Sequence, residues 1–296
     1  MLVLEVIRYL KRRADKRIVR LSNFVSMEGN HGLRSVEPSV VILIPTRDKH
    51  ELLRACIESI QTKTNYRNYE IVVIDNASSQ SSTIEYLGFL SSRGVRVLDY
   101  PNAFNYSKIT NFGVAQTESD YICFLNNDTE VVESNWLGRL IDHAVQPNIG
   151  VVGSKLLYPD GSIQHLGVAL GYTGAAGHPL AGDQPRVTDD LKHINSCFEV
   201  TAVTFACAVT SRKTFTKMNG LDSFFKVGLN DIDFALRLRR SGFRNVLCGQ
   251  SCLIHHESKS RRSTSTIRGA GRATLEVLGF LRSYGRQLRQ DYFFRP

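Results

Sequence analysis

The first half of the chain alternates between continuous apolar runs and segments with helical spacing. Residues 39–46, SVVILIPT, form a β-branched run closed by proline, which is typical of a strand buried on both faces. Similar runs predict strands at residues 69–78, 95–100 and 120–128. HELLRACIESIQT and SKITNFGVAQ, which lie between them, have the apolar spacing of amphipathic helices. This alternation predicts an α/β fold with a parallel sheet covered on both faces.

The second half has a different pattern. Residues 162–178 are apolar and rich in glycine, which predicts loops and short strands, whereas residues 199–210 predict one long strand. DIDFALRLRRSGF begins with acidic residues, ends with basic ones and stops at Gly242, as helices do. NVLCGQSCLIHHES predicts a strand that ends in two histidines, and a further helix is expected at residues 273–290.

Composition narrows the choice of partner. The chain has 296 residues, of which 42% are hydrophobic and 22% charged, as in ordinary globular proteins. Its formal net charge of +9 suits a nucleotide or an acidic membrane surface, although a basic surface without such a partner fits equally well. The basic residues are not interleaved with aromatic residues, which argues against nucleic acid as the partner.

The N-terminus and the cysteines bear on location. MLVLEVIRYLKRRADKRIVRL places a short apolar segment before a basic cluster, the reverse of a signal peptide. It predicts a helix that either packs on its own domain or lies on an anionic membrane. Six cysteines without a CxxC pair are typical of reduced thiols. We therefore expect a cytoplasmic protein, with peripheral contact at the inner membrane face as an open alternative.

Polar residues collect where the predicted strands end. Ligands of open α/β sheets bind beyond the carboxyl ends of the strands. The residues at or just after these ends are Pro45, Thr46, Arg47, Asp48, Asp75, Asn105, Lys108, Asn126, Asn127 and Asp128. No GxGxxG motif or P-loop follows any strand. This set of carboxylates, amides and cations suits a ribonucleotide and a metal-bridged diphosphate.

Seven motifs occur together over residues 39–262: IPTRD, VVIDNAS, FNYSKITNFG, FLNNDTEV, KLLYPDGSIQHLG, NDIDFALRLRRSGF and HHESKSR. In this order and spacing the chain resembles a family 2 glycosyltransferase of the GT-A fold, particularly bacterial enzymes of surface-polysaccharide assembly and rhamnosyltransferase-like members. The resemblance implies a Rossmann-like, mixed and mainly parallel sheet flanked by helices. We expect a helical extension at residues 1–38, the GT-A domain at 39–258, and a basic loop and helix at 259–296.

The resemblance also implies roles for individual residues. Nucleotide contacts would be made by Pro45, Thr46, Arg47, Asp48, Asp75, Asn105, Lys108 and Asn127. Mn²⁺ or Mg²⁺ would be held by Asp128 and by one of His255 and His256. Asp231 would be the general base. Lys259 and Arg261 would close over the diphosphate, or else belong to a solvated basic loop.

These roles predict an inverting transferase that moves a sugar from a nucleoside-diphosphate sugar to a glycan or lipid-linked acceptor. The chain departs from the family pattern at two places. In the metal motif, Asn126 and Asn127 precede the single acid Asp128, and before the base, Asn230 stands where a glutamate is common. His165 and His178, which flank the glycine-rich stretch, would either contact the acceptor or be structural.

Two other functions remain open. A catalytically silent protein that binds nucleotides or sugars would explain the asparagine-rich metal motif. A nucleotidyltransferase would have a glycine-rich basic signature after the first strand, where this chain has PTRD.

Overall fold

The computed structural model describes residue 27, residues 37–171, 175–184, 194–256 and 267–289, and residue 291. The predicted N-terminal extension lies outside the described residues, except for residues 27, 37 and 38. The basic loop with Lys259 and Arg261 also lies outside them. Within the described part, no helix has the length and apolar character needed to cross a membrane.

The described strands are β1 Val40–Thr46, β2 Tyr69–Asp75, β3 Arg96–Asp99, β4 Tyr121–Leu125, β5 Thr129–Val131, β6 Ile149–Leu157, β7 Ile163–His165, β8 Ala169–Leu170, β9 Ala176–Gly177, β10 Cys197–Val200, β11 Cys207–Ser211 and β12 Arg244–His255. The helices are α1 His50–Lys63, α2 Ser81–Ser92, α3 Tyr106–Ala115, α4 Trp136–Ala144, α5 Arg212–Lys217, α6 Asn230–Arg240 and α7 Ile267–Tyr284, followed by a 3₁₀ turn at Gln287–Arg289.

The main sheet has the strand order β10-β12-β6-β11-β4-β1-β2-β3. Strands β1 to β4 run parallel, β6 and β12 are parallel to each other, and β11 is antiparallel to both β4 and β6. The prediction of a mixed, mainly parallel sheet flanked by helices is confirmed. The carboxyl ends of β1, β2 and β4 therefore lie at one edge of the sheet.

Each face of the sheet has its own hydrophobic core, which explains why β1 is apolar at nearly every position. Ile42 and Ile44 pack in one core with Trp136, whereas Leu43 packs in the other with Ile109 of α3. Since neighbouring residues of a strand point to opposite faces, both sets of alternate positions in β1 must be apolar.

The prediction of one long strand over residues 199–210 is wrong. The structure contains two strands, β10 and β11, which pair with different neighbours. Residues 201–206 connect them and are themselves mostly buried, so their composition resembles that of a strand. Apolar runs cannot distinguish a buried connection from a buried strand, because burial alone selects the side chains.

Gly249 provides a test of the packing around β12. A Cβ at this position would lie 2.1 Å from the carbonyl oxygen of Ile194 and 2.5 Å from that of Ser196. We expect Gly249→Ala to lower the free energy of unfolding by about 1–3 kcal/mol, because the backbone must move to make room. Urea unfolding measures this change.

The control is Gly88→Ala in α2, where no heavy atom lies within 4 Å of the added carbon. Its free energy of unfolding is expected to rise by up to about 1 kcal/mol. Equal effects of the two changes would contradict the packing described here.

Candidate active site

The ends of β1 and β4 are joined by a side-chain hydrogen bond. Asn127 Nδ2 donates to Thr46 Oγ1 at 2.9 Å, and Thr46 is buried. The backbone N–H of Asn126 donates to the carbonyl of Ala206 at 3.0 Å, which attaches the same turn to the connection before β11. The turn after β4 is thus fixed between two parts of the sheet.

Asp48 and Asp75 shape the neighbouring loop. Asp48 Oδ1 accepts hydrogen bonds from the backbone N–H groups of Ser79 and Gln80 at 2.8 and 2.9 Å, at the start of α2. The N–H of Gln80 is the largest cause of a lowered pKa for Asp48. Asp75 Oδ1 accepts from the N–H of Ser78 at 3.1 Å. Both carboxylates hold the loop after β2 in place, and their contacts with a nucleotide stay a prediction.

Asn105 begins α3. Its Oδ1 accepts from the backbone N–H of Lys108 at 3.1 Å, and its Nδ2 donates to the carbonyl of Ser223 at 2.9 Å. Asn105 is buried, whereas Lys108 and Arg47 are exposed. The structure therefore gives Asn105 a capping and bridging role, and leaves the two cations accessible to an anionic ligand.

Asp128 and His255 meet because β5 pairs antiparallel with β12, with Thr129 opposite His255. Asp128 Oδ1 lies 3.0 Å from His255 Nε2, and both side chains are buried. The backbone N–H of His256 donates to the carbonyl of Asp128 at 2.8 Å. Strand register thus brings together two residues that are 127 positions apart.

Gln164 determines which nitrogen of His255 carries the proton. Gln164 Nε2 donates to the carbonyl of His255 at 3.2 Å, which turns Gln164 Oε1 toward His255 Nδ1 at 2.6 Å. Nδ1 must then be the donor, because an amide oxygen only accepts. In the neutral ring, Nε2 presents its lone pair to Asp128.

This arrangement fits a divalent cation. A neutral His255 and an ionised Asp128 point two lone pairs at each other, so the contact requires a proton on either of the two facing atoms or a cation shared by both. Adjacent ligands of an octahedral ion with bonds of about 2.1 Å are about 3 Å apart, close to the distance seen here. A metal-bound histidine typically donates its other N–H to an oxygen, as His255 does to Gln164.

His256 lies outside this cluster. Its Nε2 is 2.8 Å from Glu130 Oε1, and neighbouring residues of a strand point to opposite faces. Of the two histidines that the sequence offered as metal ligands, only His255 faces Asp128. Its role as a ligand stays a prediction.

Asp231 lies at the start of α6 and faces the connection between β10 and β11. Its Oδ1 accepts from the N–H of Ile232 at 2.8 Å and its Oδ2 from the N–H of Phe205 at 3.3 Å. Burial raises the pKa of Asp231, against the opposing effect of these two N–H groups. The carboxyl therefore binds a proton more readily than an exposed aspartate does, as a general base must.

Asp233 has a different environment on the same helix. Its carboxylate accepts from Arg237 Nε at 2.8 Å and from the hydroxyl of Tyr284 at 2.6 Å. The bond to Arg237 lies within α6, whereas the bond from Tyr284 connects α6 with α7, so Asp233 stabilises the packing of the two helices.

Two features near these groups escaped prediction. Gln164 lies within the KLLYPDGSIQHLG motif, but nothing in the sequence points to its bond with His255. The sequence left open whether His165 and His178 contact the acceptor or are structural, and the structure places their Nδ1 atoms 2.9 Å apart. Thr204, whose N–H donates to His165 Nε2, belongs to the connection that the sequence interpreted as a strand.

Two solved structures share the fold. A mannosyltransferase from Pyrobaculum calidifontis in complex with GDP-Man and Mn²⁺ matches 97% of this chain and 73% of its own, with a TM-score of 0.61 and 13% identity. GalNAc-T7 with UDP, GalNAc and Mn²⁺ matches 87% of this chain and 50% of its own, with a TM-score of 0.69 and 14% identity. The fold is that of the GT-A glycosyltransferases, as expected.

The sequence comparison identifies the family. The model of glycosyl transferase family 2 matches residues 41–217, and the chain belongs to this family. The O-antigen biosynthesis protein RfbC of Myxococcus xanthus is 37% identical over 227 residues, which are 76% of this chain and 18% of RfbC. An uncharacterised protein of Sinorhizobium fredii is 41% identical over 81% of this chain and 27% of its own length. The chain thus spans about a quarter or less of these relatives.

Proposed function

We propose that the protein is an inverting, metal-dependent glycosyltransferase of cell-surface polysaccharide synthesis. It would transfer a sugar from a nucleoside-diphosphate sugar to a hydroxyl of a glycan or lipid-linked acceptor. The observation that carries this proposal is that two chemically different groups lie at one edge of the sheet: a pair of facing metal-ligand side chains and a separate carboxylate. Asp128 and His255 face each other as ligands do, and Asp231 is a separate, half-buried carboxylate.

The donor half would bind the nucleoside diphosphate. A bound Mn²⁺ or Mg²⁺ neutralises the charge that develops on a diphosphate leaving group. Asp128 Oδ1 and His255 Nε2 would hold the ion, and Gln164 would keep His255 in the tautomer that does so. The loops held by Asp48, Asp75 and Asn105 would form the walls of the nucleotide pocket, where Arg47 and Lys108 add positive charge.

The acceptor half would supply the base. The acceptor hydroxyl gives its proton to the carboxylate of Asp231, while its oxygen forms a bond to the anomeric carbon. The bond from that carbon to the diphosphate oxygen breaks, and the diphosphate departs with the electron pair. A single displacement of this kind inverts the anomeric centre.

The comparisons support the proposal at a coarser level. Both structural neighbours contain Mn²⁺ together with a nucleotide or nucleotide sugar. RfbC is an O-antigen biosynthesis protein, and a Campylobacter jejuni relative, 28% identical over 43% of this chain, is a glucosyltransferase acting on an undecaprenol-linked glycan. Transfer to a surface glycan is therefore the function that we test.

Thermal unfolding with nucleotides is the first experiment. UDP, dTDP and GDP are each added with Mn²⁺ and with EDTA, and the chain is expected to be stabilised by one nucleotide only when Mn²⁺ is present. A ligand at 100 times its Kd adds about 2.7 kcal/mol to the free energy of unfolding. Stabilisation that survives EDTA would contradict metal dependence. Stabilisation without any turnover of the corresponding nucleotide sugars would favour the silent binding protein.

A further inference from the structure

One histidine and two cysteines form a buried cluster that has no part in the mechanism above. Cys197 of β10 and Cys248 of β12 are directly opposite each other in the antiparallel pair, and their Sγ atoms lie 2.8 Å apart. His143, in the last turn of α4, adds a ring nitrogen, and the three atoms lie within 4.8 Å of one another. Each residue is at most 1% exposed. The cluster therefore joins a helix to two strands in the interior of the protein.

Hydrogen bonds within the protein do not account for the burial of His143. Among the described residues, the only hydrogen-bond partner of its ring is Cys197, and Nδ1 has no partner. Buried polar atoms normally have a partner, and one that lacks it calls for an explanation. An imidazole that meets two sulfur atoms is a ligand set for a metal ion that prefers nitrogen and sulfur.

The main chain after Cys248 favours metal binding by the sulfur atoms. The pairing of β12 with β6 is interrupted between Cys248 and Cys252. In this stretch the N–H of Gln250 forms hydrogen bonds with Cys197 and Cys248, and the N–H of Ser251 forms one with Cys248. Such bonds favour the thiolate over the thiol, and the thiolate is the form that binds a metal.

We propose that His143, Cys197 and Cys248 bind a structural Zn²⁺. Two thiolates balance the charge of Zn²⁺, so with a neutral imidazole the complex has no net charge, which suits a site this deeply buried. The same ligands around Cu⁺ would leave a negative charge in the core. The fourth position of the tetrahedral ion falls to an oxygen ligand such as water. The ion fastens α4 and β10, the edge strand of the main sheet, to β12.

The cluster needs only a small adjustment to hold the ion. In a tetrahedral site with Zn–S bonds of about 2.3 Å, two sulfur atoms are about 3.8 Å apart, which is about 1 Å more than in the structure. Rotation about the Cα–Cβ bonds of the two cysteines provides this separation without a change in strand pairing. The thiol protons are released to solvent as the ion binds.

The test measures Zn²⁺ bound to the full chain after dialysis with Zn²⁺ and then against metal-free buffer. It uses the Asp128→Ala chain, in which the other candidate metal site has lost a ligand. This chain is expected to retain about one Zn²⁺ per molecule. Adding Cys197→Ser is expected to lower the Zn²⁺ affinity about 100-fold or more, since loss of a mere second-shell partner costs about 10–100-fold.

Cys252→Ser is the matched control, because Cys252 is a buried cysteine of the same strand that lies outside the cluster. It is expected to keep the Zn²⁺ affinity of the Asp128→Ala chain. An equal loss of Zn²⁺ in Cys197→Ser and Cys252→Ser would overturn the site, as would an Asp128→Ala chain that retains no Zn²⁺. A disulfide between Cys197 and Cys248 in protein purified with Zn²⁺, detected by mass spectrometry, would overturn it too.

X-ray absorption at the zinc edge needs no change within the cluster, so it still decides the question if Cys197→Ser fails to fold. In the Asp128→Ala chain the spectrum should show two sulfur atoms at about 2.3 Å and a nitrogen at about 2.0 Å from the ion. A shell of nitrogen and oxygen alone would place the Zn²⁺ elsewhere and overturn the proposal.

Discussion

Asp231→Asn is expected to reduce the transfer rate by a factor of about 10²–10⁴ while leaving metal-dependent nucleotide binding intact. An amide of almost the same shape keeps one of the two backbone N–H bonds at this position, because only its oxygen accepts, and it cannot take a proton. The donor half lies on other strands and does not depend on this carboxylate. Rates of product formation, with nucleotide binding measured by thermal shift, separate the two properties.

Asp231 should also control how the transfer rate depends on pH. Because burial raises the pKa of Asp231, its ionised and active form appears at higher pH than for an exposed aspartate. The rate is therefore expected to rise with pH through this raised pKa, and Asp231→Asn should remove that rise.

Asp233→Asn is the matched control, because Asp233 lies on the same helix and is equally an aspartate. Its bonds to Arg237 and Tyr284 predict a loss of stability, not of turnover per folded molecule. A turnover as low in Asp233→Asn as in Asp231→Asn, at equal fraction folded, would contradict the assignment of the base.

Asp128→Ala is the second change with a large expected effect. It removes one of the two groups that face each other across 3.0 Å, so the Mn²⁺-dependent stabilisation by nucleotide should disappear. At a nucleotide concentration of 100 times the Kd, this stabilisation amounts to about 2.7 kcal/mol. His255→Ala should have the same consequence, since either group alone is a poor site.

Mn²⁺ titration followed by electron paramagnetic resonance measures the metal affinity directly, without substrates. His256→Gln provides the control, because His256 contacts Glu130 and not Asp128. If His256→Gln lost Mn²⁺ affinity and His255→Ala kept it, the assignment of His255 as the metal ligand would be wrong.

Local patterns account for most of the first half of the fold. The apolar runs correctly predicted β1, β2, β3 and β4, because a strand buried on both faces needs apolar residues at successive positions. The same argument placed the residues after β1, β2 and β4 at one sheet edge. It could not predict β10 and β11, because the connection between them is buried as well.

Pairing between distant strands accounts for what the sequence could not show. Two adjacent histidines look equivalent in HHES, and only the register of β5 on β12 selects His255 to face Asp128. Gln164 reaches His255 from a strand 91 positions away, and no periodicity signals such a contact. The partners of His165 likewise follow from tertiary packing, which local spacing does not encode.

The short connection before β11 has a consequence for the evolution of specificity. Phe205 donates its N–H to Asp231, and the next residue, Ala206, accepts from the N–H of Asn126 in the turn that leads to Asp128. In the proposed mechanism, the distance from the metal site to the base would therefore be set by two adjacent residues of one backbone segment. Side chains around the pocket can vary to accept other sugars without altering this spacing. In this chain, substitutions in the pocket walls would then change the sugar that is bound while the spacing between the metal site and the base stays the same.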